Sequence, residues 1–286
     1  VRINPCEVHI KDPHFYDEIY ASGVRKRDKD AQFLKAYSVP GSMVATVDHE
    51  HHRYRRNILN AYFSKKSVNE LSPVIEAKIQ KLMQRFALAN QDGSIMRLDD
   101  AFSALASDVI TQYSFGESWN FLDDKDFRRD IRHAITETSN MVHINRFFPF
   151  VGKTMRMIPP WLIVKLQPAK ASLLNFMKSI FDMAARGIEA EKHPTGKRVK
   201  RETIFKSLTD PALPPEERTF MRVAHETGVI LQAGTESISR SLTIAAFYLA
   251  YQPALRDQLR DELKTILSTP TSTASWAQLE QLPYLV

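Results

Sequence analysis

The chain has 286 residues, a formal net charge of +6 at neutral pH, 43% hydrophobic residues and a single cysteine. This length allows one large domain or two smaller ones around a substantial core. The modest, evenly spread charge does not call for nucleic acid, and a lone Cys6 excludes an internal disulfide framework. No run approaches the roughly 20 apolar residues of a membrane span. No signal peptide opens the chain, which starts at Val1-Arg2-Ile3-Asn4-Pro5 without an initiator methionine. It ends at Leu282-Pro283-Tyr284-Leu285-Val286, where a new element begins, so a piece of a longer protein is expected.

Arg2-Ile3 and Glu7-Val8-His9-Ile10 read as short strands ended by Asp12-Pro13, and His14 to Ser22 as a short helix stopped at Gly23. Arg25 to Lys29 is charged and expected at the surface, and Pro40-Gly41-Ser42 marks a loop. Asp48 to Ser64 is rich in histidine and arginine. On a helix, His52 and Arg56 stand four apart and share a face. Such a pair can grip neighbouring carboxylates, the guanidinium with two parallel hydrogen bonds. Charge pattern alone reads the same stretch as a solvated basic helix start. Nucleic-acid binding lacks a zinc-finger or aromatic-platform pattern here, and His49, His51 and His52 lack the spacing of a complete metal site.

Ser67 to Leu88 is an amphipathic helix with Leu71, Ile75, Ile79, Leu82, Met83 and Phe86 inward, followed by a turn around Gly93. A second core helix opens at Leu98, places Leu105, Val109, Ile110 and Tyr113 inward, and stops near Gly116. Asp123-Asp124-Lys125-Asp126 admits a rival enzyme class, because grouped aspartates hold magnesium and diphosphate in terpene cyclases. No second metal motif follows, and capping of a helix running from Phe127 toward Asn145 also accounts for these aspartates. Arg146 to Leu162 is greasy and irregular. Trp161 to Glu191 reads as one long helix with Leu166, Leu173, Phe176, Met177, Ile180, Phe181 and Ala184 inward. Lys192 to Lys200 is a basic linker, and Glu202 to Leu208 a short helix ended by Asp210-Pro211.

Pro214 to Ala250 is the stretch around which the rest is organised. Paired prolines and glutamates open a helix, and no proline interrupts the next 35 or so residues, about 50 Å at 1.5 Å per residue. Val223, Thr227, Ile230, Leu231, Gly234, Ile238, Leu242, Ala245, Ala246 and Leu249 recur at helical spacing. At its midpoint Gly234 lowers helix propensity, and Thr235, Glu236 and Ser237 put an acid and hydroxyls where aliphatics belong. On packing grounds alone, Gly234 admits a close helix crossing and Glu236 reaches solvent. Beyond it, Pro253 opens a helix with Leu255, Leu259, Leu263 and Leu267 spaced by four, and Trp276 to Gln281 forms a last helical turn.

Ala233-Gly234-Thr235-Glu236-Ser237 resembles the oxygen-binding motif in the central helix of the cytochrome P450 family of heme-thiolate monooxygenases, with Ser237 where that motif has threonine. Asp48 to Ser64 is similar to the fungal segment in which a His or Trp, three residues and an Arg precede Phe-Ser. His52, Arg56, Phe63 and Ser64 match, and Ala61 stands where many relatives have proline. Asp108-Val109-Ile110-Thr111, Tyr113-Ser114-Phe115-Gly116 and the closing Leu279-Glu280-Gln281-Leu282-Pro283-Tyr284-Leu285 fit the same family. The resemblance covers essentially the whole chain. It implies a mainly α, cytochrome P450 fold, truncated before the Glu-x-x-Arg helix and the cysteine loop that ligates iron. Residues 1–286 would form a single incomplete domain. Within it, 1–47 is the N-terminal sheet and substrate-pocket border, 48–208 a helical region with a substrate lid, 214–250 the oxygen-binding helix, and 253–286 the helices that follow.

The resemblance further implies heme (iron protoporphyrin IX) in a full-length parent, with His52 and Arg56 on its propionates. Ala233 and Gly234 would make room for oxygen, and Glu236 and Ser237 would deliver protons. Electrons would come from NADPH through a flavoprotein reductase. One atom of dioxygen would enter a lipophilic small molecule of fungal secondary metabolism. The parent would sit on the cytoplasmic face of the endoplasmic reticulum membrane, held by an N-terminal segment, its lid leaning on the bilayer. Cys6 matches no ligand motif and is not expected to bind the iron. The 286 residues alone are expected to bind heme weakly or not at all and to be catalytically incompetent. The alternative from a different class is a non-catalytic α-helical interaction module or degenerate protein.

Overall fold

The computed structural model describes the chain except residues 21–24, 149, 152–153, 155–156, 194–201 and 270–271. The expected helix end at Ser22 and Gly23, parts of the lid, and the linker over 194–200 lie outside the described residues. The architecture is mainly α. Strands β1 (Arg2–Asn4) and β2 (Glu7–Val8) form an antiparallel hairpin that pairs Arg2 with Val8. The first helices are α1 (Tyr16–Ile19), α2 (Ala31–Lys35), α3 (His49–Asn60), α4 (Lys65–Asn69), α5 (Ser72–Asp92) and α6 (Leu98–Phe115). Then come α7 (Arg129–Phe147), α8 (Pro160–Leu166), α9 (Ala171–Lys192), α10 (Ile204–Leu208), α11 (Phe220–Tyr251), α12 (Pro253–Lys264) and α13 (Trp276–Leu279).

The main packing seam joins α6 to α11. Ser107 and Ile110 of α6 meet Thr235 and Gly234 of α11 there, and Ser239 reaches the start of α6 at Asp99. Gly234 lets the two backbones approach, since a Cβ there would stand 2.7 Å from Ile110 Cγ1. The seam hydroxyls are paired, which removes most of their burial penalty. Thr235 Oγ1 meets Ser107 Oγ at 3.3 Å, and Ser239 Oγ donates to the Asp99 carbonyl at 3.0 Å. α9 packs across α11 and α7 through buried Phe176, Ile180, Met183 and Ala184. Asp100, almost fully buried, ties α7 to α6 by accepting Arg129 Nε at 2.7 Å and Arg132 Nη1 at 3.2 Å. Tyr62, just past α3, and Tyr113 of α6 exchange hydroxyl-to-carbonyl hydrogen bonds, locking those two elements together.

Two expected helices are broken at prolines. Pro73 lies in the first turn of α5 and separates it from α4, where one helix from Ser67 was expected. Pro168 opens a 3-10 turn, Pro168–Lys170, that divides α8 from α9 in the stretch expected as one helix from Trp161. Proline lacks the N–H and disfavours helix at the residue before it. Ile79, Met83, Leu166 and Met177, expected inward, are exposed. α7 starts at Arg129 with no side-chain cap. Asp124 instead accepts the N–H groups of Asp126 and Arg128, at 2.9 and 3.1 Å, and shapes the turn before the helix. Asp123 pairs with Lys81 at 2.5 Å. Two of the aspartates of the rival magnesium reading, Asp123 and Asp124, are thus engaged in an ion pair and a turn.

The central helix begins later than expected. Pro215–Arg218 is a 3-10 turn, and Thr219 caps α11 by accepting the Arg222 N–H at 3.3 Å. α11 runs 32 residues, about 48 Å at 1.5 Å per residue. Its first half holds most of its buried residues, from Arg222 to Thr235. In its second half Ile238, Leu242 and Ala245, expected inward, are exposed, together with Ile244, Phe247, Tyr248 and Tyr251. Among the described residues no helix is long and apolar enough to cross a membrane.

Candidate functional site

α3 begins at Asp48, whose carboxylate accepts the His51 N–H at 2.7 Å. One face of this helix is held to the approach of α11 by Glu217, itself only 4% exposed. Arg55 Nε donates to Glu217 Oε2 at 2.8 Å, Arg55 Nη2 to Oε1 at 3.0 Å, and His51 Nε2 lies 2.5 Å from Oε1. Thr46 Oγ1 accepts Arg55 Nη1 at 2.9 Å. Burial alone would push the Glu217 carboxyl up. The hydrogen bonds and charges of Arg55 and His51 outweigh it and bring its pKa from 4.5 to about 2.

The network continues along α11. Arg222 Nε reaches Glu217 Oε2 at 3.4 Å, and Arg222 Nη1 pairs with Glu226 one turn on. Glu226 accepts the Met43 N–H at 2.9 Å, and His225 Nδ1 accepts the Gly41 N–H at 3.1 Å, so the Pro40-Gly41-Ser42 loop is docked on the same helix. Burial and then the Arg222 charge lower the His225 pKa. Sequence reasoning singled out none of Glu217, Arg222 and Glu226. The signal was present in the spacing: His51, Arg55 and Leu59 stand four apart on one stripe of α3, of which Arg55 and Leu59 are buried and His51 lies at the exposed end.

His52 and Arg56, the expected carboxylate pair, lie on the neighbouring stripe. His52 is half-buried and Arg56 exposed. Among the described residues neither side chain has a hydrogen-bond or ion-pair partner. Burial first, then the charges of Lys29, Arg56 and His49, push the His52 pKa down. Lys29 is expected at the surface and is instead half-buried, with Nζ donating to the carbonyls of Met43 at 3.3 Å and Val44 at 2.9 Å. Lys29 and Arg56 make this side of α3 cationic, with the Glu226 carboxylate acting on Lys29 from α11.

The motif on α11 is divided between two faces. Thr235 lies in the seam with α6, and Gly234 meets Ile110 rather than an open space. Ala233, Glu236 and Ser237 line a groove of about 390 Å³, opposite Thr136, Ser139 and Asn140 of α7. Ser237 is exposed, and its hydroxyl donates to the Ala233 carbonyl at 2.7 Å. Glu236 is half-buried and accepts Arg240 Nη2 at 3.1 Å. No hydrogen bond or ion pair among the described residues joins Glu236 or Ser237 to His52 or Arg56. The two sets are connected through Glu217, which binds α3 and leads into α11. Cys6 lies exposed on the β1–β2 turn, its N–H bonded to Asn4 Oδ1 at 2.9 Å. Among the described residues no three His, Cys, Asp or Glu side chains converge to hold a metal ion.

A family model for Cytochrome P450 matches residues 7–286. The chain is 41% identical over 285 residues to "Cytochrome P450 monooxygenase TRI4" of Trichoderma arundinaceum, across 100% of this chain and 54% of that protein. It is 39% identical over 285 residues to "Conidiogenone synthase PchP450" of Penicillium rubens, across 100% of this chain and 56% of that protein. It thus spans little more than half the length of the curated relatives it matches. A crystal structure of a cytochrome P450, CYP102L1, shares the fold, with a TM-score of 0.68 at 19% identity over 94% of this chain and 56% of that one. With a family match running from Glu7 to the last residue and fungal relatives 41% and 39% identical along the whole of it, the chain belongs to the cytochrome P450 family.

Proposed function

We propose that the protein carrying this chain is a heme-dependent monooxygenase of fungal secondary metabolism that inserts one oxygen atom into a lipophilic small molecule. These residues would contribute its carboxylate grip and its oxygen-side wall. The observation that carries the reading is the unpartnered pair His52 and Arg56. One residue away, His51 and Arg55, the same residue types at the same spacing, already grip the carboxylate of Glu217. Heme ligated by a cysteine thiolate supplies the activation of dioxygen in this family. Cys6, on an exposed hairpin turn, is not assigned that ligand role.

The chain's own residues then have distinct parts. Arg56 binds one heme carboxylate through paired N–H groups, and His52 supports it. Ala233 leaves room in the groove. Ser237 donates its hydroxyl hydrogen to the Ala233 carbonyl, so its oxygen accepts a hydrogen bond from the groove side; to pass a proton on, the hydroxyl would turn its hydrogen into the groove and be re-protonated from water there. Glu236, held by Arg240, exchanges protons with water at the rim. Serine keeps the hydroxyl of the family's threonine but lacks the branch that restricts its rotamer. Exposed Phe147, Phe148, Phe150, Met157 and Trp161 offer an apolar lid for a lipophilic substrate. Electrons would come from NADPH through a flavoprotein reductase, with the protein on the cytoplasmic face of the endoplasmic reticulum membrane.

The reduced, carbon-monoxide-treated full-length protein is expected to give the Soret band of thiolate-ligated heme. A heme-loaded sample without that band would overturn the reading. Ser237→Ala is expected to keep the band and cut product formed per electron about tenfold or more, with the remainder appearing as peroxide. Unchanged coupling would remove Ser237 from proton delivery.

A further inference from the structure

α3 carries two adjacent His-x-x-x-Arg pairs, His51 with Arg55 and His52 with Arg56. Neighbouring residues on a helix point about 100° apart. A turn of the helix by one residue would therefore exchange one pair for the other, and helical spacing alone does not choose between them. Glu217 removes the ambiguity. It is buried, accepts three hydrogen bonds from the Arg55 guanidinium at 2.8 to 3.2 Å, and lies 2.5 Å from His51. Thr46 holds the remaining Arg55 nitrogen, and Arg222 approaches the same carboxylate from α11. Glu217 also sits in the turn directly before Thr219, the cap of the helix that bears Ala233, Glu236 and Ser237.

We propose that Glu217 is a positioning residue for heme binding. It fixes the rotation of α3 so that His52 and Arg56 face the carboxylates, and it sets α3 relative to the oxygen-side helix. This rests on the propionate role proposed above for His52 and Arg56. The carboxylate acts through the helix and does not touch the cofactor.

The test uses the full-length holoprotein and reads heme release to apomyoglobin. Glu217→Gln keeps size and one acceptor oxygen but loses the charge that holds Arg55. It is expected to speed heme release about tenfold. Placed on Arg56→Ala, it is expected to add little, because its effect passes through the grip that Arg56 provides. Multiplying effects would mean general loosening and would overturn the proposal, as would unchanged release in the single variant. Arg55→Lys, which keeps the charge and loses the paired geometry, serves if Glu217→Gln does not fold. It is expected to speed release to a smaller extent and to show the same lack of additivity, and unchanged release would again count against the proposal. If Arg56→Ala itself leaves release unchanged, the propionate role fails. If Arg56→Ala speeds release and the Glu217 and Arg55 variants do not, only the positioning role fails.

Discussion

Arg56→Ala in the full-length protein is expected to weaken heme retention about 10- to 150-fold, the range for losing a hydrogen bond to a charged group. The same substitution should change the folding stability of the heme-free protein by no more than about 0.5 kcal/mol. Arg56 is exposed and has no side-chain partner among the described residues, so little in the fold depends on it. Heme transfer and thermal denaturation, measured on the same samples, separate the two effects. A stability loss that matches the loss of heme would mean that Arg56 is a structural arginine. His52 adds a pH signature. Burial and the charges of Lys29, Arg56 and His49 lower its pKa in the free protein, and a carboxylate alongside would raise it. Binding then takes up a proton, so heme affinity is expected to fall as pH rises from below 6.5 through the bound-state pKa.

Arg222→Leu is expected to cost about 3–5 kcal/mol of folding stability, the range for breaking a buried ion pair from one side. Arg222 is 2% exposed and stands between Glu217 and Glu226, which are 4% and 0% exposed. Glu226 would keep the Met43 N–H and lose its cation. A domain stable by about 5–15 kcal/mol would be severely weakened. Denaturant titration checks this, and a loss under about 1 kcal/mol, the ceiling for ordinary surface pairs, would contradict it. The acid limb of stability follows from Glu217. Its folded pKa, about 2, lies below the ordinary 4.5, so its contribution is full above 4.5 and is lost as pH falls toward 2.

The long helix was legible because its signals are local. Its apolar period, its opening prolines and the polar break at Glu236 and Ser237 need no partner to be seen. Its packing was less legible. The buried face of α11 includes Glu226, Thr235 and Ser239, whose partners Met43, Ser107 and Asp99 are distant in sequence, and Arg222 and Thr227, whose partners lie within a turn or so. A hydrophobic pattern assigns such residues outward. Gly234 illustrates the same limit: the motif is visible in sequence, yet Ile110, far along the chain, decides which way the glycine faces. In α3 the resemblance singled out His52 and Arg56, but the grip of His51 and Arg55 on Glu217 depends on a residue distant in sequence and was not legible. The helix breaks at Pro73 and Pro168 were readable from proline chemistry, but amphipathic spacing on either side masked them.

A structure of the full-length protein with heme bound tests the account most directly. It is expected to place the heme carboxylates within hydrogen-bonding distance of His52 and Arg56, with His51 and Arg55 still on Glu217 and Ser237 facing the cofactor across the groove. Carboxylates held elsewhere, or His51 and Arg55 released from Glu217 to bind them, would contradict it.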